Sequence, residues 1–340
     1  MHGLPRISGL RDNKSGRSRC KVLVGVLTWR TGWRFVVHRI LSVFAVSLVF
    51  LLSAAGSTHR PQVTSSILVR TDWLAAHLKD KNIVILHVGT DRKTYDAGHI
   101  PGARFLGLSD IVAVRNGIPN ELPTVNTLKA TFERLGIGNQ SRVVIYGDMA
   151  GLFAARAYFS LDYLGRGDST ALLDGGLEKW KAEHREVSIR QNNVAPATLT
   201  AKPRPELIIE LATVKQVVAG KGKKVALIDA RPFSDYAGTR PYAIRVGHIP
   251  GAKNVFWADN LVSRDNPVLK SAADIRARYE AAGVRPGSKV VVYCQTGVQA
   301  TYDYFTLKLT GFSPMLYDGS FSEWSSAEGT VVETGIPHSN

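Results

Sequence analysis

Apolar positions in this chain come in short, unbroken runs separated by stretches with helical spacing. In the second half, "KVALIDA" (224–230), "SKVVVYC" (288–294) and "PMLYDG" (314–319) are largely apolar from end to end. Between them, "KSAADIRARYEAAG" (270–283) and "GVQATYDYFTLKLTG" (297–311) return apolar side chains every three to four residues. A strand with one wet face alternates, whereas a strand covered on both faces does not, so these runs predict an α/β fold with a mainly parallel sheet flanked by helices. In such folds the chemistry sits in loops at the carboxyl ends of the strands.

The pattern occurs twice. "GHIPGA" stands at 98–103 and again at 247–252; "SRVVIYGD" at 141–148 answers "SKVVVYCQ" at 288–295; "LLDGGLEKW" at 172–180 answers "LYDGSFSEW" at 316–324. The order is the same and the spacing drifts only slightly, as loop insertions would make it, so the chain is a tandem of two homologous domains. The polar segment 190–206, "RQNNVAPATLTAKPRPE", holds three prolines and breaks both periodicities, which makes it the linker between a first domain at 66–189 and a second at 207–335.

Composition changes this picture only at the amino terminus. Of the +15 formal charge, +9 falls in residues 1–60, and the remaining 280 residues carry only +6. No basic stripe interleaved with aromatics appears, so nucleic acid is not an expected partner, while a mild positive balance suits small anionic substrates. Basic residues precede an uncharged run from Ile40 to Ala55 that ends in small residues. Residues 1–55 therefore read as a basic leader with a signal peptide or a membrane anchor, and the protein as exported, to the periplasm. Membrane contact is expected only through residues 40–55, if they are retained.

Cysteines are scarce: Cys20 lies in the leader and Cys294 in the second domain. No disulfide framework, Cys-rich metal site or metal cofactor is expected in the mature chain. Cys294 closes a strand, and a helix starts a few residues on. A short loop through Gly297 can turn backbone N–H groups toward the sulfur and favour thiolate, which predicts a nucleophile. The first copy has Gly147 at that position, so one site near the domain interface is expected. A cysteine phosphatase loop would need arginine where Ala300 stands, a thioredoxin-like site would need a second cysteine at Gly297, and a papain-like protease would need a histidine partner, for which only His338 lies downstream.

Taken together, the paired "GHIPGA" motifs, "VVVYCQTGVQA" and the "DGG…W" and "DGS…W" blocks resemble the two-domain rhodanese sulfurtransferases over roughly residues 66 to 330. The resemblance implies an inactive first domain and a catalytic second one. It implies that Cys294 takes a sulfur atom as a persulfide from a small anionic donor and hands it to cyanide or a thiol, without a cofactor. It also implies that Gln295, Thr296, Gly297, Val298 and Gln299 line the pocket, backbone first, and that Arg156, in "GLFAARAYFSL", points toward the cleft.

His99 and His248 recur in both copies, including the one without a cysteine, and so are expected to stabilise turns. Asp229 and Arg231 occur in one copy only and could pair beside the site. Thiosulfate-preferring members often carry loop cations where this chain has Gln295 and Thr296, so Arg156, Arg240 or Arg245 would have to replace them. Mercaptopyruvate-preferring members carry an arginine where this chain has Asp235, which favours thiosulfate over mercaptopyruvate. A persulfide carrier that loads sulfur without turnover is the remaining alternative.

Overall fold

The computed structural model describes residues 67 to 221, 225 to 240 and 245 to 335. The leader and the expected signal or anchor segment lie outside these residues.

The first domain holds a parallel sheet in the order β1 (Leu68–Val69), β7 (Thr170–Leu173), β6 (Arg142–Gly147), β2 (Ile83–Gly89), β3 (Arg104–Gly107). The second holds a parallel sheet in the order β11 (Ser313–Leu316), β10 (Lys289–Tyr293), β8 (Val225–Asp229), β9 (Lys253–Asn254). The four strands of the second match four of the first, and a parallel bridge between Ile208 and Leu316 stands where β1 pairs with β7. The central strands β6 and β10 are buried on both faces, as their unbroken apolar runs require.

Helices cover both sheets. In the first domain these are α1 (Thr71–His77), α2 (Lys93–Ala97), α3 (Val125–Arg134), α4 (Leu152–Tyr163) and α5 (Gly176–Ala182). In the second they are α6 (Leu211–Val218), α7 (Phe233–Tyr236), α8 (Ala272–Ala281), α9 (Ala300–Leu309) and α10 (Ser320–Ser326). The predicted helix at 270–283 is α8, which starts where the Ser271 hydroxyl accepts from the Asp274 amide at 3.1 Å. The predicted strand at 314–319 stops at Leu316 because Tyr317 onward turns to close the site.

The domains meet through α4 and α9, the helices that follow the two equivalent strand-end loops. Both are buried almost all round. Tyr158 meets Phe305, and Phe159 meets Tyr304, edge to face at 5.0 and 4.9 Å between ring centres. The carboxylate of Asp162 on α4 is fully buried there and accepts from Lys308 at 2.5 Å, Tyr304 at 2.8 Å and Arg204 of the linker at 2.9 Å. The loops ahead of α4 and α9 are thereby brought to the interface.

The two "GHIPGA" histidines are built into the fold. The ring of His99 stacks on Tyr95 at 3.8 Å, with its nitrogens 2.8 and 3.0 Å from the carbonyls of Tyr95 and Arg190. His248 repeats the stack on Tyr236 at 3.8 Å and lies 2.8 Å from its carbonyl. Each motif also pairs with the last segment of its domain, His99 with Ser188 and His248 with Glu333.

One element escaped the periodicity. Strands β4 (Ala113–Arg115) and β5 (Ile118–Glu121) form an antiparallel hairpin whose turn residues Asn116 and Gly117 are both left-handed. Asn-Gly at a two-residue turn is a strong hairpin signal, and it was present in the sequence.

Candidate active site

Cys294 follows the last residue of β10 and is 1% exposed. Its amide donates to the Ser320 hydroxyl at 3.2 Å, and its carbonyl accepts from the Phe321 amide at 3.0 Å. The carbonyl of Gln295 accepts from the Ser322 amide at 3.0 Å. The "DGSFSEW" block thus clamps the strand end from below, while residues 295 to 299 curl over the sulfur before α9 starts. Only Gly297 in this loop has positive φ, at 86°, and a Cβ there would sit 2.5 Å from Asp318 Oδ1 and 2.8 Å from the Asp318 carbonyl. Glycine is required at this position both by its backbone and by its neighbour.

Four amide N–H groups, from Ala300, Thr296, Gln299 and Gly297, pull the thiol of Cys294 toward ionisation. Burial pushes it the other way and outweighs them, so the thiol lies above its ordinary value. This corrects the expectation of a thiolate favoured at neutral pH: the loop supplies dipoles and no full positive charge, and dipoles alone do not offset complete removal from water. The same dipoles favour any anion formed at the sulfur during reaction, and they need no reorganisation to do so.

The four other expected loop residues take four different places. Gln295 is fixed by its side chain, which accepts from Arg231 at 3.2 Å and donates to Ser322 at 3.0 Å. Arg231 is in turn held by Asp229 at 2.6 Å and lies over the Phe321 ring at 4.1 Å, so the expected ion pair is formed and orients the loop's first residue. Thr296 is half-buried at the rim, whereas Val298 packs its side chain into the core. Gln299 is the N-cap of α9.

Arg156 sits behind the loop, fully buried, rather than in an open cleft. Its guanidinium donates to Asp318 at 2.6 Å and to the Asn120 carbonyl at 2.8 Å, and lies 3.4 Å from where a Cβ on Gly297 would be. The anionic partner its apolar surroundings demand is therefore Asp318. Arg245 is also structural: it donates to the carbonyls of Ser325 and Thr330, each at 2.6 Å, and so ties down the end of the second domain. Arg240 is largely exposed and pairs with Asp235 at 3.4 Å.

Two contributors were missed by reading the sequence. The hairpin β4–β5 reaches from the first domain to the cysteine loop, where Asn120 Nδ2 donates to the Thr296 hydroxyl at 3.0 Å. Because that oxygen is accepting, the Thr296 proton is available to an anion in the cleft. Two residues on, the Leu122 amide donates to Asp318 at 2.6 Å. Between them, Glu121 is pushed up to about 7 by burial and by the carboxylates of Asp318, Glu323 and Glu210, against the pull of Arg115.

The first domain shows why it has no counterpart. A Cβ on Gly147 would lie 2.6 Å from the Val88 carbonyl, so no side chain fits where Cys294 stands in the second copy. The following loop takes three left-handed residues in succession, Met149, Ala150 and Gly151. His87 and Asp148, which replace Asp229 and Gln295, pair with each other at 2.9 Å. Among the described residues, no group of three or more His, Cys, Asp or Glu side chains is placed to hold a metal ion.

Comparison with known proteins agrees with this geometry. The family model described as "Rhodanese-like domain" matches residues 70–183 and 213–327. The chain is 35% identical to the sulfur carrier protein TtuD of Thermus thermophilus, over 79% of this chain and 97% of that protein. It is 35% identical to a probable 3-mercaptopyruvate sulfurtransferase of Pseudomonas aeruginosa, over 80% and 100%. It is 32% identical to a putative thiosulfate sulfurtransferase of Saccharopolyspora erythraea, over 78% and 96%.

Proposed function

The chain belongs to the rhodanese family, and from that premise we propose that it transfers a sulfane sulfur from thiosulfate to cyanide or a thiol through a persulfide on Cys294. The observation that carries this reading is one buried cysteine under four backbone N–H groups. The thiolate of Cys294 attacks the outer sulfur of thiosulfate; the sulfur–sulfur bond breaks, and sulfite leaves with the electron pair. Cyanide then attacks the outer sulfur of the persulfide, thiocyanate leaves, and the thiolate returns. The loop dipoles stabilise the anionic sulfur at each stage, and the Thr296 hydroxyl, whose oxygen accepts from Asn120, keeps its proton to offer the departing sulfite.

Thiosulfate is favoured over mercaptopyruvate because Asp235, buried on α7, stands where the mercaptopyruvate-preferring members carry an arginine. The test is thiocyanate release by the purified protein with each donor plus cyanide, beside a Cys294→Ala control. Multiple turnover with thiosulfate that the substitution abolishes supports the proposal. Faster turnover with mercaptopyruvate overturns the donor, and a persulfide that forms without turnover favours a carrier.

The raised thiol has its own consequence. Below its pKa, the thiolate fraction grows about tenfold per pH unit. Sulfur loading from thiosulfate and alkylation of Cys294 by iodoacetamide are expected to keep climbing above about pH 9, past an ordinary cysteine. Stopped-flow alkylation rates from pH 6 upward check this; a plateau near pH 7 would mean that the dipoles outweigh burial.

We also propose that the protein acts outside the cytoplasm, on the strength of the uncharged run from Ile40 to Ala55. Amino-terminal sequencing of protein recovered from cell fractions tests it: a start near Gly56 in the periplasmic fraction is expected, and a cytoplasmic chain that keeps residues 40–55 overturns it.

A further inference from the structure

A cleft of about 580 Å³ opens on the first domain, between α2, the start of β3, the end of α3 and the linker. Arg92, Arg104 and Arg134 line it, each from a different element, and no Asp or Glu does. Their charges are only loosely compensated. Arg92 pairs with Asp96 at 3.1 Å in an exposed contact, and Arg134 lies 3.9 Å from Asp110, beyond hydrogen-bond distance. Arg104 donates through Nη1 to the Leu135 carbonyl, while its Nε is buried with no acceptor.

The cleft is also built rather than incidental. The guanidinium of Arg92 lies over the rings of Tyr95 and Phe105 at 4.8 and 5.2 Å, which hold it in place. From the linker, Asn192 is anchored by its side-chain amide on the Ala103 carbonyl at 2.8 Å, and Gln191 and Asn193 add further carboxamide donors to the wall. Three like charges facing one cavity repel each other, and a buried guanidinium nitrogen without an acceptor is costly. A multiply charged oxyanion would relieve the repulsion, and planar guanidinium forks match the oxygens of phosphate in pairs.

We propose that this cleft binds a phosphate-bearing small molecule, at a site separate from the cysteine loop and in contact with the interdomain linker. No residue lining it belongs to the set around Cys294. The unmodified full-length protein should therefore bind inorganic pyrophosphate with one-to-one stoichiometry in a calorimetric titration at low ionic strength, and less tightly as salt is added. Arg134→Gln and Arg92→Gln are each expected to weaken binding by about tenfold or more, the scale of a lost charged hydrogen bond. Arg134 is mostly exposed, so its replacement leaves the fold intact, and thiocyanate turnover should be unchanged in both variants. Pyrophosphate should also slow hydrogen exchange across residues 191–194. Absence of saturable heat overturns the proposal, as does equal binding by both variants. Loss of binding after alkylation of Cys294 would place the anion at the cysteine loop and overturn it equally.

Discussion

Replacing Gly297 by alanine is expected to lower sulfur transfer by about a hundredfold or more while leaving the protein folded. The residue has φ of 86°, and a left-handed backbone costs a non-glycine residue roughly 1–2 kcal/mol. The larger effect is steric. The added methyl would lie 2.5 Å from an Asp318 oxygen that is itself held by Arg156 and, through the same carboxylate, by the Leu122 amide. Asp318 cannot yield without breaking those bonds, so the loop must move, and its N–H groups move with it. A displacement of about 1 Å at a reacting centre costs on the order of a hundredfold in rate. Thiocyanate release gives the loss, and mass spectrometry of the thiosulfate-treated variant shows whether the persulfide still forms. Turnover within a few-fold of the parent would mean that the loop's backbone geometry is not what activates Cys294.

Removing Arg156 should act on stability first. Its pair with Asp318 is closed to solvent on both sides and joins the two domains. Arg156→Met is expected to destabilise the protein by about 3–5 kcal/mol, because it leaves the Asp318 carboxylate buried and unpaired. Asp318→Asn, which strands the guanidinium instead, should be comparably severe. The double variant, with neither charge, should recover much of the loss, and urea unfolding of the three variants measures this directly. If Arg156 bound substrate from an open cleft, its replacement would raise the KM for thiosulfate and leave the unfolding midpoint in place. That pattern would contradict the position given to Arg156 behind the loop.

Much of this protein could be read from its sequence because the relevant physics is local. Unbroken apolar runs mark strands that are dry on both faces, and β6 and β10 are such strands. Repeated blocks in the same order require two copies of one fold. The position of Cys294 between a strand and a helix was enough to expect a loop of inward N–H groups, and a glycine at 297 to make it possible. The same repeat explained why His99 and His248 hold the fold, since a residue needed in a copy without a cysteine serves the architecture.

Contacts between residues far apart in the chain were decided by the tertiary structure. Asn120 and Thr296 are 176 positions apart, and Arg156 and Asp318 are 162; no periodicity relates them, because each pair forms only when α4 packs on α9. The Asn116-Gly117 turn announced a hairpin, yet nothing in its sequence says that it lies against the other domain's loop. The ionisation of Cys294 shows the division most clearly. The dipoles that favour its thiolate belong to four neighbouring residues and could be anticipated, whereas the burial that opposes them comes from the core around β10 and from the "DGSFSEW" block closing beneath. Local sequence determined which groups face the sulfur, and packing determined how much water reaches it, because desolvation sums over every element in contact while a loop's dipoles depend on that loop alone.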